Sequence, residues 1–153
     1  MFLQETYEIE DLWYYNTNTY STTSTTLNIP LPSTPFSIEY IVKQGNTNNS
    51  VPYMDIGNSS NDRMLIGQYA KAGANGLIIY KSTSTTHAYG TNTTPNQENT
   101  IWFSYDGSNY NYKLNNGTVM TIPDASVTLA KLIHIEPCGT TSNYLKNIKV
   151  KAL

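Results

Sequence analysis

Apolar and polar residues alternate along most of this chain, and helical spacing never persists for three turns. In "FSIEYIVK" the alternation sets Phe36, Ile38, Tyr40 and Val42 on one side and Ser37, Glu39 and Lys43 on the other. "VPYMDIG" and "DRMLIGQY" repeat the pattern with Met54, Ile56, Met64 and Ile66 facing inward. "GLIIYK" is a short, nearly continuous apolar run, as expected of a strand covered on both sides, and offers Leu77 and Ile79 to the core. "KLIHIEP" is expected to bury Ile133 and Ile135, and "YLKNIKVKAL" Ile148 and Val150 with its lysines toward solvent. The densest stretch is "IWFSYDGSNYNYKLNNGTVMTI". Here Ile101, Phe103 and Tyr105 precede an Asp106-Gly107 turn, Tyr110, Tyr112 and Leu114 follow it on one parity, and Asn116-Gly117 makes a second turn.

Turn-forming clusters such as "GNTNNS", "GNSSND", "TNTTPNQ" and "CGTTSN" recur at intervals of roughly eight to twelve residues. Many short strands at that spacing predict an all-β fold, an antiparallel β-sandwich of the jelly-roll kind, over residues 1–153 as a single domain. The one candidate helix, "GQYAKAGANG", is interrupted by glycine and reads as a strand end followed by a loop. "YYNTNTYSTTSTTLNIPLPSTP" is low in complexity, but Leu27, Ile29 and Leu31 alternate near its end and predict an edge strand capped by prolines. "KSTSTTHAYGTNTTPNQEN" reads as a Thr/Ser-rich strand and then a loop.

Composition narrows the partners. Only 13% of the 153 residues are charged, the net charge is -2, and about a third of the chain is Asn, Thr and Ser. The surface therefore stays wet through hydroxyls and amides. The nine Lys and Arg are scattered apart from the ending, so there is no concentrated basic face of the kind nucleic acid needs. No stretch approaches the roughly 20 apolar residues of a membrane span. The N-terminus carries acids where a signal peptide needs bases, so the chain is expected to be made in the cytoplasm or to be a module of something longer. A lone Cys138 excludes an intrachain disulfide and a cysteine metal cluster.

"IWFSYDGSNYNYKLNNG" resembles the strand-turn-strand of concanavalin A-like, laminin-G-like jelly-roll domains, in which a strand ending in Tyr-Asp-Gly precedes one ending in Asn-Gly. "YLKNIKVKAL" looks like that family's closing strand, which returns beside the first. "FSIEYIVKQ" matches its early core strand, and "RMLIGQY" with "GLIIY" its central pair. The resemblance runs from about Phe36 to Leu153. The Asn/Thr/Tyr-rich, cysteine-poor composition is similar to modules of phage tail, baseplate and head-fibre proteins and of prokaryotic surface adhesins. It implies a virion location, or alternatively a cell surface as part of a larger adhesin.

Enzymatic chemistry finds little support. A strand-borne glycosidase would place acids at i, i+2 and i+4, and only Glu8 and Glu10 share a face in that way. His87 and His134 lie in separate strands without a serine elbow or metal-spaced partner. No catalytic residue and no cofactor is therefore expected. The family resemblance admits one structural calcium, for which Asp62 with Asn61 is the pair to inspect.

Sugar recognition suits what the chain has in excess. Aromatic faces stack on pyranoses, and Asn, Thr and Tyr exchange hydrogen bonds with hydroxyls. Parity turns Trp102 and Ser104 away from Phe103, so Trp102 is either covered by a loop or neighbouring subunit or free to act as a platform. Further candidates, read as loop residues, are Trp13, Tyr14 and Tyr15, Tyr69, and His87 with Tyr89. Two functions follow. One is a non-enzymatic module binding a glycan or host cell-surface polysaccharide. The other is a purely structural part contacting other virion proteins, as a homo-oligomer or within a larger assembly.

Overall fold

Residues two apart in an extended chain share a side, and burial in the folded protein follows that rule strand by strand. A computed structural model describes residues 13–16, 19–27, 35–45, 52–59, 61–67, 76–81, 84–89, 96–123, 127, 133–137 and 142–153. Along the chain its strands are β1 (Trp13–Asn16), β2 (Thr19–Tyr20), β3 (Thr25–Leu27), β4 (Phe36–Lys43) and β5 (Tyr53–Ser59). Next come β6 (Asp62–Ile66), β7 (Gly76–Lys81), β8 (Ser84–Tyr89) and β9 (Glu98–Tyr105). The last are β10 (Asn109–Leu114), β11 (Met120–Pro123), β12 (Ile133–Glu136) and β13 (Tyr144–Ala152). Among the described residues there is no helix.

Two antiparallel sheets result. One, sheet A, runs β1-β13-β4-β9-β10-β11, with β2 also paired to β13; the other, sheet B, runs β3-β12-β5-β6-β7-β8. The chain crosses between them repeatedly, as in a jelly roll, and β13 returns beside β1. The expected edge strand is β3, whose Leu27 is buried; Ile29 and Leu31 lie outside the described residues.

The core lies between the sheets. Phe36, Ile38, Tyr40, Val42, Met54, Ile56, Met64, Ile66, Ile79, Ile101, Phe103, Ile135, Ile148 and Val150 are buried there, as the alternation predicts. The side chains of Leu77 and Ile133 lie outside the described residues. Tyr105 departs from the expectation: it ends β9 beside the turn and is only half-buried, packed against the cluster with Tyr110 at 4.8 Å between ring centroids. Leu145 departs in the other sense. It is fully buried three residues before Ile148, because a bulge at Asn147 (φ 52°) resets the parity of β13.

Turns locate the strand ends. Gly107 has φ 98°, and the Asp106 carboxylate accepts the backbone N–H of Ser108 (2.8 Å) and Asn109 (2.7 Å). Those two bonds hold the Asp106 carboxyl below the usual carboxylate range. At the second turn the left-handed residue is Asn115 (φ 51°), one place before the expected Asn-Gly pair.

One polar lock joins the sheets. The Tyr40 hydroxyl donates to the Ile66 carbonyl at 2.8 Å inside the core. Gly67, at φ 93°, makes room for it, since a Cβ there would collide with that hydroxyl and press on Ile101 Cδ1 at 3.0 Å. The Tyr112 hydroxyl, also buried, has no hydrogen-bond partner.

The two phenols give opposite expectations for denaturant unfolding. Tyr40→Phe orphans a carbonyl and is expected to cost about 1–2 kcal/mol, whereas Tyr112→Phe removes an unpaired group and leaves stability unchanged or higher. Equal losses from both would contradict the assignment. Gly107→Val, forcing a branched residue to positive φ, is expected to destabilise by about 1–3 kcal/mol.

Candidate functional site

The outward positions of sheet A form a second pattern, complementary to the core. Glu39 on β4 and Lys113 on β10 both pair in register with Trp102 on β9, and Lys149 on β13 pairs with Glu39. A row Lys149–Glu39–Trp102–Lys113 therefore crosses four strands. Lys149 Nζ lies 3.4 Å from Glu39 Oε1, and Lys113 Nζ sits 5.6 Å from the centroid of the Trp102 indole. Trp102 is half-buried.

One step along β9, the sheet ends in amides. The Asn115 N–H donates to the Thr100 carbonyl at 2.7 Å, and the Thr100 N–H donates back to Asn115 Oδ1 at 2.8 Å. Asn115 Nδ2 donates to Asn99 Oδ1 at 3.0 Å, which ties the turn to a buried side chain. On the other flank Thr121 donates to Asn111 (2.8 Å), Asn111 donates to Ser104 (3.3 Å), and Ser104 and Ser37 are both buried. Between these flanks lies a shallow depression of about 220 Å³ lined by Glu39, Thr100, Trp102, Lys113, Asn115 and Asn116. It offers one aromatic face, one anion, one cation and a rim of neutral hydrogen-bonding groups.

At the far end of the same face Lys43 and Lys146 each lie 5.7 Å from the Tyr144 ring centroid. Glu98 accepts from both Lys146 and the Tyr144 hydroxyl. The Lys146 bond, then the Tyr144 bond, lowers the Glu98 carboxyl, while Glu98 pushes the Tyr144 phenol up to about 12.

The outer face of sheet B carries different chemistry. Asp55 pairs with Arg63 at 2.9 Å, and Arg63 lies 5.0 Å from the Tyr80 ring centroid. At the β3 edge Ser24 donates to Glu136, and His134 lies 3.4 Å from the Thr26 hydroxyl and 3.9 Å from Glu136. The Ser24 hydroxyl thus faces a carboxylate and not the imidazole, and the histidine contacts are longer than a proton relay uses. Among the described residues no three His, Cys, Asp or Glu side chains are grouped to hold a metal ion; Asp62 is bonded to Lys81 at 2.8 Å.

Of the residues selected from sequence, Trp102 is the one at the depression. Trp13, Tyr14 and Tyr15 belong to strand β1 and not to a loop, at the edge of sheet A three strands from β9. His87 and Tyr89 likewise lie in a strand, β8, at the edge of sheet B. Tyr69 and Cys138 lie outside the described residues. The aromatics are thus divided between two sheets. The sequence signalled that Glu39 and Lys113 point outward, but only the strand order shows that they flank Trp102. Asn115 and Asn116 were read as turn residues alone.

No family model matches the sequence, and no curated protein is similar to it in sequence. Solved structures share its fold. Chicken galectin 2 superposes with a TM-score of 0.62 at 12% identity, covering 86% of this chain and 100% of that one. The toad ovary galectin in complex with thio-digalactose gives 0.62 at 10%, with the same coverage of 86% and 100%. The carbohydrate-binding module CBM66 from Bacillus subtilis gives 0.58 at 9%, covering 90% of this chain and 83% of that one. The chain thus has the jelly-roll β-sandwich fold of these structures.

The Glu98–Tyr144 bond sets a pH expectation. A phenol raised from 10 to about 12 in the fold favours folding below pH 10, and that contribution is lost as pH rises through about 12. NMR titration of ring-labelled tyrosine, with the Tyr144 signal assigned by its loss in Tyr144→Phe, is expected to show that phenol titrating at about 12 and returning toward 10 in Glu98→Gln; an unchanged titration would contradict the bond.

Proposed function

We propose that the domain is a non-enzymatic carbohydrate-binding module that holds a glycan at the Trp102 depression. The observation that carries this reading is the setting of the indole: half-buried, at the wall of a polar depression, and ringed by Thr100, Asn115 and Asn116, whose groups match sugar hydroxyls. The fold likeness adds support, because two of its neighbours are described as a galectin with thio-digalactose and a carbohydrate-binding module. By composition and motif, the module belongs to a phage virion or tail protein or to a surface adhesin, and its ligand is a host cell-surface polysaccharide. Its open sheets, which end in edge strands β11 and β3 among the described residues, suit a homo-oligomer or a larger assembly with other virion proteins.

One observation favours a purely structural module instead. Lys113 already lies over the indole, which is how a surface Trp is accommodated without any ligand. A glycan array on the whole chain separates the two. Binding is expected to host cell-wall polysaccharides, weakened at least about tenfold in Trp102→Ala, equivalent to about 1.4 kcal/mol, with an unchanged β-sheet circular dichroism spectrum. Silence across the array would favour the structural module, and equal binding by the variant would place the glycan away from Trp102.

A further inference from the structure

The outward strand positions of sheet A gather Lys43, Lys113, Lys146, Lys149 and Lys151, five of the chain's nine cations. Against them, among the described residues, the same positions carry two acids, Glu39 and Glu98. Both acids are already engaged, Glu39 by Lys149 at 3.4 Å and Glu98 by Lys146. Among the described residues, the outward face of sheet A thus carries a surplus of positive charge in a chain of net charge -2; three of its five lysines lie on β13, two strands from the β9 that holds Trp102, and Lys113 lies beside the indole.

From this arrangement we infer that the ligand of the Trp102 depression is an acidic polysaccharide, one bearing carboxylate, sulfate or phosphate groups. The inference rests on the glycan-binding reading above and adds the charge of the ligand to it.

Lys113 decides between acidic and neutral sugars. Its ammonium lies 5.6 Å from the indole centroid, so a sugar stacking on that face displaces it. A neutral sugar forfeits the cation–π contact and returns to the ammonium only a hydrogen bond from a neutral hydroxyl oxygen. An acidic sugar supplies an anion within reach of Nζ, and the resulting charge-assisted bond is the stronger of the two. A chain lying across the strands would reach Lys149 about 14 Å further on, at three strand spacings of about 4.8 Å, with Lys151 two residues along β13. Glu39, between them, is neutralised by Lys149 and does not repel such a chain. Nucleic acid is also a polyanion, but single strands are held by several successive stacking platforms, and the depression supplies one indole.

The test uses the whole chain and three immobilised polymers: polygalacturonate, chondroitin sulfate and a glycerol-phosphate teichoic acid. Each is paired with its uncharged counterpart, carboxyl-reduced, desulfated or phosphate-free. At least one acidic polymer is expected to bind about tenfold or more tightly than its partner, and the gap is expected to shrink as salt rises from about 0.05 to 0.5 M. Lys113→Gln keeps most of the side-chain stem, so it is expected to erase the gap, weakening the acidic polymer and, because no cation–π contact is then displaced, strengthening the uncharged one. Lys113→Arg is expected to retain the gap, and this shows that charge and not packing is being read. Equal, Trp102-dependent binding of charged and uncharged partners would overturn the inference and leave the glycan reading standing. No binding of any polymer, charged or not, would overturn both. Oligothymidylate binding as tightly as the best acidic polysaccharide would overturn the inference in favour of nucleic acid.

Discussion

The ladder between β4 and β9 is the constraint on which the candidate site depends. Eight residue pairs run without interruption from Phe36 opposite Tyr105 to Lys43 opposite Glu98. Every second pair faces inward; Ile38 with Phe103 and Tyr40 with Ile101 are fully buried between the sheets, and in the terminal pair Phe36 is buried and Tyr105 half-buried. The pairs between them necessarily face outward, and one of these is Glu39 with Trp102. A slip of one residue would exchange the two sets and drive the indole into the core. Burial of Ile101 and Phe103 forbids the slip, so the hydrophobic effect places Trp102 without contacting any ligand.

That division explains what was legible in the sequence. The period of two is a local property, so "FSIEYIVK" and "IWFSYDG" announced their inward residues, and the structure buries them. Parity fails where the backbone leaves the regular path. The bulge at Asn147 brings Leu145 and Ile148 to one side, and its only signal in "YLKNIK" is an asparagine, which tolerates positive φ but does not demand it. Tyr105 has inward parity, but its neighbour Asp106 begins a turn, so the ring is covered on one side only. Strand order is the larger loss. It depends on which segments meet across the whole chain, and so the grouping of Glu39, Lys113 and Asn115 about Trp102 could not be read from spacing.

Charge shows the same limit. Averaged over the chain, 13% charged residues and a net charge of -2 describe a weakly charged surface. The fold redistributes that charge. β13 contributes Lys146, Lys149 and Lys151, β4 contributes Lys43, and β10 contributes Lys113, all from the outward positions of a single sheet. The opposite sheet keeps its Asp55–Arg63 and Asp62–Lys81 pairs closed on themselves. A domain with little total charge can therefore carry one face with a defined electrostatic sign.

Binding at a shallow surface is weak unless the surface is already in its bound shape, because ordering side chains opposes association. The depression meets that condition from beneath and from its rim. The residues on either side of Trp102 in β9 are fully buried, so the backbone carrying the indole is held by the core. Asn115 is fixed by three bonds, two to the Thr100 backbone and one to Asn99, so its end of the rim is ordered before any ligand arrives. Glu39 is tethered to Lys149. Lys113 is held by a cation–π contact instead, lying over the ring that a sugar would cover. The group that a stacking ligand must displace is thus also the depression's cation, so the exchange of one contact for another at Lys113 sets which ligands the aromatic shelf retains.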